Sequence, residues 1–339
     1  MPDTTLDQIV DHLRSSGAQY FAGHPEVKGA RVVGHTPKTD HYIYEIVLDF
    51  PQDSQRVNAK IYRGKSGTQG PQELAKREFQ NLQFVQQAGE ARKASGIPRP
   101  VGDFTELGAV VSTKVNGLPL QSILMKVALL PDTGHHALLE AAAKQAGTWL
   151  QQFHKATATT AAPLDGDAIL AEMQTLCAKA EKDGLPAEST EAILNAARNA
   201  LTKQKRPLRT SAVLHEFMPL NVLVSDGEVG FGEFASLAEQ GHSLQDAAVF
   251  LAAVEALEKY PFCNRTLTGL VQDAFVQAYG VTAQEQVLLD TLKMKVLLQM
   301  FAQGRAVNKE SAVRKKVMWA NVMKRFIQTA AERSMAPAA

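Results

Sequence analysis

Two periodicities divide this chain, and the point where one gives way to the other limits the folds open to it. From Gly29 to about Val115 the sequence reads as short strands and turns. Ala30–Gly34, His41–Phe50 and Arg56–Arg63 cluster or alternate β-branched and aromatic residues between Gly, Pro, Asp and Lys, which predicts an antiparallel meander. One helix follows, with Leu74, Phe79, Leu82, Phe84 and Val85 at helical spacing between Gln72 and Ala88, until Gly96 and Pro98 stop the pattern. Short strands are expected at Val101–Phe104 and Gly108–Val115, before the turn Asn116-Gly117-Leu118-Pro119. Beyond it the helical period dominates, over Leu138–Thr157, Gly166–Lys182, Ser189–Gln204, Ser243–Lys259, Leu267–Tyr279, Ala283–Ala302 and Asn308–Ala331. The expected interruption is a strand–turn–strand unit from Ala212 to Ala235. A β-rich front and a helical back make an α+β chain of two lobes, residues 1–115 and 116–339. The ends, MPDTT and MAPAA, are expected to fray.

Composition excludes several functions. With 36 Lys+Arg against 35 Asp+Glu the formal charge is +1, so no global field attracts nucleic acid or a membrane surface. The two cysteines, Cys177 and Cys263, allow neither a disulfide framework nor metal-finger spacing, and a reducing compartment is expected. The N-terminal residues lack a signal-peptide core, and the longest uncharged apolar stretch, Ala247–Val254, is far too short to span a bilayer. The expectation is a cytoplasmic protein with no transmembrane segment.

Candidate chemistry concentrates in the embedded hairpin, VLHEFMPLNVLVSDGEVGFGEFA. Glu216, Asn221 and Glu233 offer two carboxylates and an amide oxygen on adjoining turns, the hard donors that Mg²⁺ takes alongside phosphate oxygens and water. The same three residues also fit an ordinary solvated hairpin. Lys60 lies inside the apolar third strand and Glu78 on the helix after it, where a buried ammonium would find a partner to hold it against phosphates. Equally, Lys60 fits an edge-strand charge pointing to solvent, with Glu78 one acid on a helix surface. His215-Glu216 begins like a zinc-protease helix, but the position of the second histidine is Pro219.

Taken in order, these residues resemble the protein-kinase-like phosphotransferases, in their aminoglycoside and choline kinase branch, over residues 28 to 280. AKIYR resembles the strand with the phosphate-binding lysine, KREFQNLQFV the helix with its ion-pair glutamate, and VVSTKVNGLPL the hinge between lobes. The embedded hairpin resembles the family's H-G-D-F-x-P-x-N-V-L-V and the I-D-F strand after it. WLQQFHKAT resembles the helix ending L-H-x-L, and HSLQDAAVFL the G-D-P-x-x-D-L-A helix start. The resemblance implies a bilobal protein-kinase-like fold, an antiparallel sheet lobe with one helix followed by a mostly helical lobe. It implies ATP and Mg²⁺ as cofactors, Lys60 on the α- and β-phosphates with Glu78 orienting it, and backbone near Thr113 and Val115 holding the adenine. Asn221 and Glu233 would then bind the metal ions, Glu216 would accept the substrate hydroxyl proton, and Asp246 would brace the catalytic loop.

The departures fall on the chemistry. Both family aspartates are glutamates here, Glu216 and Glu233; Leu214 stands where the histidine is expected and His215 where the glycine is. One methylene shifts a carboxylate by about 1 Å, a displacement that can cost on the order of a hundredfold in rate. Charge is nevertheless retained at both positions, and transfer that depends on positioning and electrostatics tolerates an adjusted loop. VVGHTPKTDHYIYE, where the nucleotide-covering loop belongs, offers only Gly34 between its strands; Lys38 or Thr39 either contacts a phosphate or forms a solvated tip.

From residue 291 onward ten Lys/Arg face only Glu310 and Glu332, which makes an anionic acceptor conceivable and a polycationic one less apt, although a solvated helix face explains the charge equally. Two functions are therefore carried forward. One is an ATP- and Mg²⁺-dependent transfer to a hydroxyl of a small molecule, a sugar or amino alcohol. The other is an impaired pseudokinase serving as a nucleotide-responsive binding module.

Overall fold

The computed structural model describes residues 2–24, 26–64, 70–90, 95–130, 133–182, 184–260 and 262–303. They form two compact units, and the chain enters the first twice: unit 1 is residues 1–116 with 230–237, unit 2 the remainder.

Unit 1 is built on a four-stranded antiparallel sheet, β1 (Gly29–Pro37), β2 (His41–Asp49), β3 (Ser54–Tyr62) and β4 (Ala109–Thr113), in the order β1-β2-β3-β4. The meander follows the sequence expectation because short turns join β1 to β2 and β2 to β3; β2 and β3 pair without a break, while β1 carries one register shift between Val32 and Gly34. Tyr44, Ile46 and Leu48 of β2, Val57, Ala59 and Ile61 of β3, and Ala109 and Val111 of β4 line one face. Against it packs α1 (Pro2–Ser16), which buries Ile9 and Leu13 completely. This helix was not expected from the sequence, where MPDTT read as a frayed end. Its register is nevertheless helical, since Leu6, Ile9, Val10 and Leu13 recur at three- and four-residue steps, and Pro2 suits a first turn. The opposite face carries Lys60 and Tyr62, and α2 (Pro71–Glu90) buries Ala75, Glu78, Leu82 and Val85. Among the described residues unit 1 therefore has two α-helices rather than one.

The strand expected at Val101–Phe104 does not form. Gly102 takes a φ of 75° and Asp103 accepts from the Thr105 N–H, which bends the chain into a 3-10 turn at Thr105–Leu107. Val101 still donates to the Val111 carbonyl and Thr113 to the Arg99 carbonyl before the bend, and Ala109 donates to the Phe104 carbonyl after it.

Unit 2 begins with β5 (Leu118–Pro119), α3 (Leu120–Leu129) and α4 (Thr133–Ala156), followed by β6 (Thr159–Ala162), α5 (Gly166–Lys182) and α6 (Ala187–Lys203). Then come β7 (Leu208–Val213), the hairpin β8 (Val222–Ser225) and β9 (Glu228–Phe231), and β10 (Ala238–His242). The Asp226-Gly227 turn of that hairpin has positive φ at both residues, as a tight two-residue turn requires. Helices α7 (Leu244–Ala256), α8 (Arg265–Tyr279) and α9 (Ala283–Gln303) complete the described unit. The expected helices at 138–157, 166–182, 189–204, 243–259, 267–279 and 283–302 are all present within a few residues, the last turn of 243–259 being 3-10. Helix α3 and strands β6 and β10 are additional to the expectation. The sheet β10-β7-β6 relies on strands of four to six residues, too brief for alternation to register. The expected helix at 308–331 and most of the basic segment lie outside the described residues.

Helix α7 is buried almost all round, through Leu244, Ala247, Phe250, Leu251 and Val254. Helices α4 and α8 cross closely at Gly147, where a Cβ would stand 2.5 Å from the Phe275 carbonyl oxygen; only glycine permits that approach. Among the described residues no helix is long and apolar enough to cross a membrane.

Candidate active site

The first group of site residues is assembled wholly within unit 1. Lys60 is 8 % exposed, so it is not an edge-strand charge. Its Nζ donates to Glu78 Oε1 at 3.0 Å and to Glu233 Oε2 at 2.9 Å. Burial alone would lower the ammonium pKa, but the charges of Glu78 and Glu233 outweigh it and hold Lys60 well above its ordinary value. Tyr62, two residues on and hence on the same face, donates its hydroxyl to the other Glu78 oxygen. Burial and the nearby Glu78 carboxylate push that hydroxyl far up, so it stays a donor.

Glu233 reaches this cluster because residues 230–237 are stitched to unit 1. Phe231 N–H donates to the Gly96 carbonyl at 2.9 Å, and Asn81 Nδ2 to the Phe234 carbonyl at 2.7 Å. At Gly230 a Cβ would lie 2.4 Å from Val115 Cγ1, so a side chain there would force the strand away from the segment after β4. In that segment Thr113 N–H donates to the Arg99 carbonyl at 2.8 Å and Lys114 N–H to the Arg56 carbonyl at 2.9 Å. Thr113 Oγ1 accepts from Arg99 N–H. Among the described residues Val115 N–H has no backbone acceptor.

The second group lies in unit 2, on the loop between β7 and β8. Asp246, in the first turn of α7 and fully buried, accepts from Leu214 N–H and His215 N–H, both at 2.8 Å. Its Oδ2 also lies 3.0 Å from His154 Nε2, and His154 Nδ1 lies 2.9 Å from the Tyr279 hydroxyl. A buried carboxylate is tolerable when several donors converge on it, and here they fix the backbone immediately before Glu216. Past Glu216, its carbonyl accepts from Met218 N–H at 2.8 Å and from Asn221 Nδ2 at 3.0 Å. The bond through Nδ2 leaves the Asn221 amide oxygen as the acceptor. His215 is exposed with φ 61°, a left-handed conformation for which the family pattern uses glycine. Leu214, where that pattern has histidine, is fully buried.

Sequence reasoning thus reached Lys60, Glu78, Glu216, Asn221, Glu233 and Asp246 but missed Tyr62 and His154 as participants. Tyr62 could have been found from strand parity with Lys60. His154 sits in the stretch that resembles the helix ending L-H-x-L, so its position was legible, but its partners were not, because they depend on the packing of α4 against α7 and α8.

A sheet with a buried lysine–glutamate pair, a helical unit, and a loop braced on a buried aspartate are the organisation of a kinase-like phosphotransferase. The model of the family described as "Phosphotransferase enzyme family" matches residues 52–232, more than half of the chain, and the chain belongs to that family. Among solved structures, an ADP-bound aminoglycoside phosphotransferase matches at 13 % identity over 99 % of this chain and 100 % of its own, with a TM-score of 0.53. An amicoumacin kinase in complex with AMP-PNP, Ca²⁺ and Ami matches at 14 % over 89 % and 88 %, TM-score 0.52. A choline/ethanolamine kinase family protein from Mesorhizobium loti matches at 15 % over 97 % and 99 %, TM-score 0.51. These likenesses concern the fold, which is kinase-like. No curated protein sequence matches the chain.

Proposed function

We propose that the protein transfers a phosphoryl group from ATP, with Mg²⁺, to a hydroxyl of a small molecule of the sugar or amino alcohol type. The observation that carries this reading is Lys60, buried and bonded at once to Glu78 and Glu233. An isolated ammonium would not be buried here without a charge to meet, and a lysine held in a fixed direction is what a polyphosphate requires.

In this reading Lys60 binds the α- and β-phosphates while Glu78, steadied by Tyr62, fixes its direction. Val115, whose N–H has no backbone acceptor among the described residues, offers that N–H to the adenine edge, whereas Thr113 N–H is spent on the Arg99 carbonyl. Glu216 takes the proton of the acceptor hydroxyl, on a loop whose position Asp246 fixes. Asn221 and Glu233 are the residues to hold Mg²⁺. Each keeps a hard donor on its own side: the Asn221 nitrogen is the atom bonded to the Glu216 carbonyl, which leaves its amide oxygen, and Glu233 spends one oxygen on Lys60. Among the described residues no three His, Cys, Asp or Glu side chains form a metal cluster; an amide and a carboxylate completed by phosphate oxygens and water do not need one. When bound, the ion would neutralise phosphate charge.

One feature favours the impaired alternative: Glu216 and Glu233 are each a methylene longer than the family aspartates, and Glu233 reaches Lys60 itself. The two readings part on ADP release. Wild-type protein given ATP, Mg²⁺ and a panel of sugars and amino alcohols is expected to release ADP with at least one acceptor, and the double substitution Glu216→Asp, Glu233→Asp to lower that rate by on the order of a hundredfold. Turnover appearing only in the double variant would make the native chain the impaired form. A melting temperature unmoved by ATP and Mg²⁺ would overturn both readings.

A further inference from the structure

On the face of the sheet that carries Lys60, one buried polar atom has no hydrogen-bond partner among the described residues. His41 opens β2 and is paired in register with Tyr62, while Ile43 is paired with Lys60. Strand alternation therefore puts the His41 side chain on the Lys60–Tyr62 face, diagonal to Lys60. The residue is 8 % exposed, and its ring centroid lies 5.7 Å from that of Tyr62. Its Nδ1 lies 2.9 Å from Asp40 Oδ1. Its Nε2 is shut off from solvent and has no hydrogen-bond partner among the described residues. A carboxylate only accepts, so the proton of the neutral ring sits on Nδ1 and Nε2 is a bare lone pair. Buried polar groups are almost always satisfied, so an orphan on this face points to a partner that arrives from outside.

We propose that His41 Nε2 contacts a phosphate oxygen of the bound nucleotide, gaining a proton from solvent as that contact forms. The proposal rests on the nucleotide-binding reading of the Lys60 cluster. Phosphate oxygens accept, as the bare Nε2 does, so the contact requires Nε2–H, and solvent supplies the proton. The charged groups near the ring are consistent with this. Burial and the Lys60 charge keep the free imidazole below its ordinary range, while Asp40 and Glu233 pull the other way. A phosphate beside the ring adds negative charge and tips the balance toward imidazolium. Position supports it too: His41 lies directly after the Lys38-Thr39-Asp40 turn between β1 and β2, one strand from Lys60. The turn itself is exposed, whereas the histidine behind it is inside.

The test is calorimetric titration of the full-length protein with adenosine, AMP and ADP, for wild type and for His41→Phe, which keeps a ring against Tyr62. The substitution is expected to weaken ADP on the order of tenfold, the worth of one charge-assisted hydrogen bond, and to leave adenosine unchanged. At pH 8, repeating the ADP titration in buffers of different ionisation enthalpy is expected to show net proton uptake by wild type with ADP and none with adenosine. Equal losses for adenosine and ADP, or no loss, would reduce His41 to packing and overturn the proposal. So would the absence of proton uptake in wild type, which decides the matter even where His41→Phe does not fold. Wild type binding neither adenosine nor ADP would instead overturn the nucleotide reading itself.

Discussion

Lys60 shows how much one buried charge can organise. Its neighbours Ala59 and Ile61 are in the core on one face of β3, so parity sends the lysine to the other face, where two carboxylates and the Tyr62 ring receive it. Replacing it with methionine keeps the volume but leaves Glu78 and Glu233 facing each other without a cation. Lys60→Met is expected to lower unfolding free energy by about 3 kcal/mol, the cost of stranding buried charge, and to abolish the ATP-induced shift in melting temperature. Because the lysine pKa is raised on folding, its contribution is fully present below the unfolded value and falls away only as pH rises through the folded one. Denaturation of wild type against Lys60→Met should therefore give a constant difference from neutral pH to about 10, the unfolded lysine value being near 10.4. A difference that vanishes in that window would mean that the pair does not carry the stability. The pair was visible in the sequence as a lysine in an apolar strand and an acid on the next helix. Its environment was not, because solvent exposure of a strand face depends on which helix covers it.

Elements were legible where they were long and regular. The meander and the long helices announced themselves through sustained periods of two and of three to four residues. Helix α1 was missed for its polar start, and β6 and β10 for their brevity. The structure of the loop between β7 and β8 is a property of three elements together: β7 delivers it, α7 presents Asp246 beneath it, and α4 supplies His154 to hold Asp246 from the other side. That relation joins residues 92 positions apart: each matched a family stretch of its own, but nothing local says that the two meet. Asp246→Asn tests whether the network positions Glu216 or merely stabilises α7. An asparagine has one oxygen for the three donors, so one or more loses its acceptor. We expect kcat to fall about tenfold or more with KM for ATP nearly unchanged, since loop misplacement acts on the chemical step. A rise in KM(ATP) at constant kcat would place the effect on nucleotide binding instead. A loss of stability at unchanged kcat and KM would leave Asp246 a structural residue only.

At the scale of the molecule, the hairpin β8–β9 connects the two units: it carries the chain out of unit 2 and delivers residues 230–237 to unit 1. The sequence divided the chain once, near residue 115, because a change in periodicity marks where elements switch and not where a later segment returns. What binds the returning segment is specific: Phe231 N–H on the Gly96 carbonyl, Asn81 on the Phe234 carbonyl, and Glu233 on Lys60. A fragment of residues 1–116 therefore lacks one of the two carboxylates around Lys60 and leaves the buried Asn81 amide without its acceptor, at about 1–3 kcal/mol for the amide alone. The close approach of Gly230 to Val115 means that a short Gly/Ser linker can rejoin residues 230–237 to the end of that fragment. Since each kcal/mol shifts the midpoint of a domain this size by about 4 °C, the rejoined fragment is expected to melt at least about 4 °C above the bare one. Adding Glu233→Gln to the rejoined fragment should remove part of that gain and leave the rest, which the two backbone anchors supply. Equal midpoints for bare and rejoined fragments would show that unit 1 is complete without the strand, and the pairing of Lys60 with Glu233 would then add nothing to its fold.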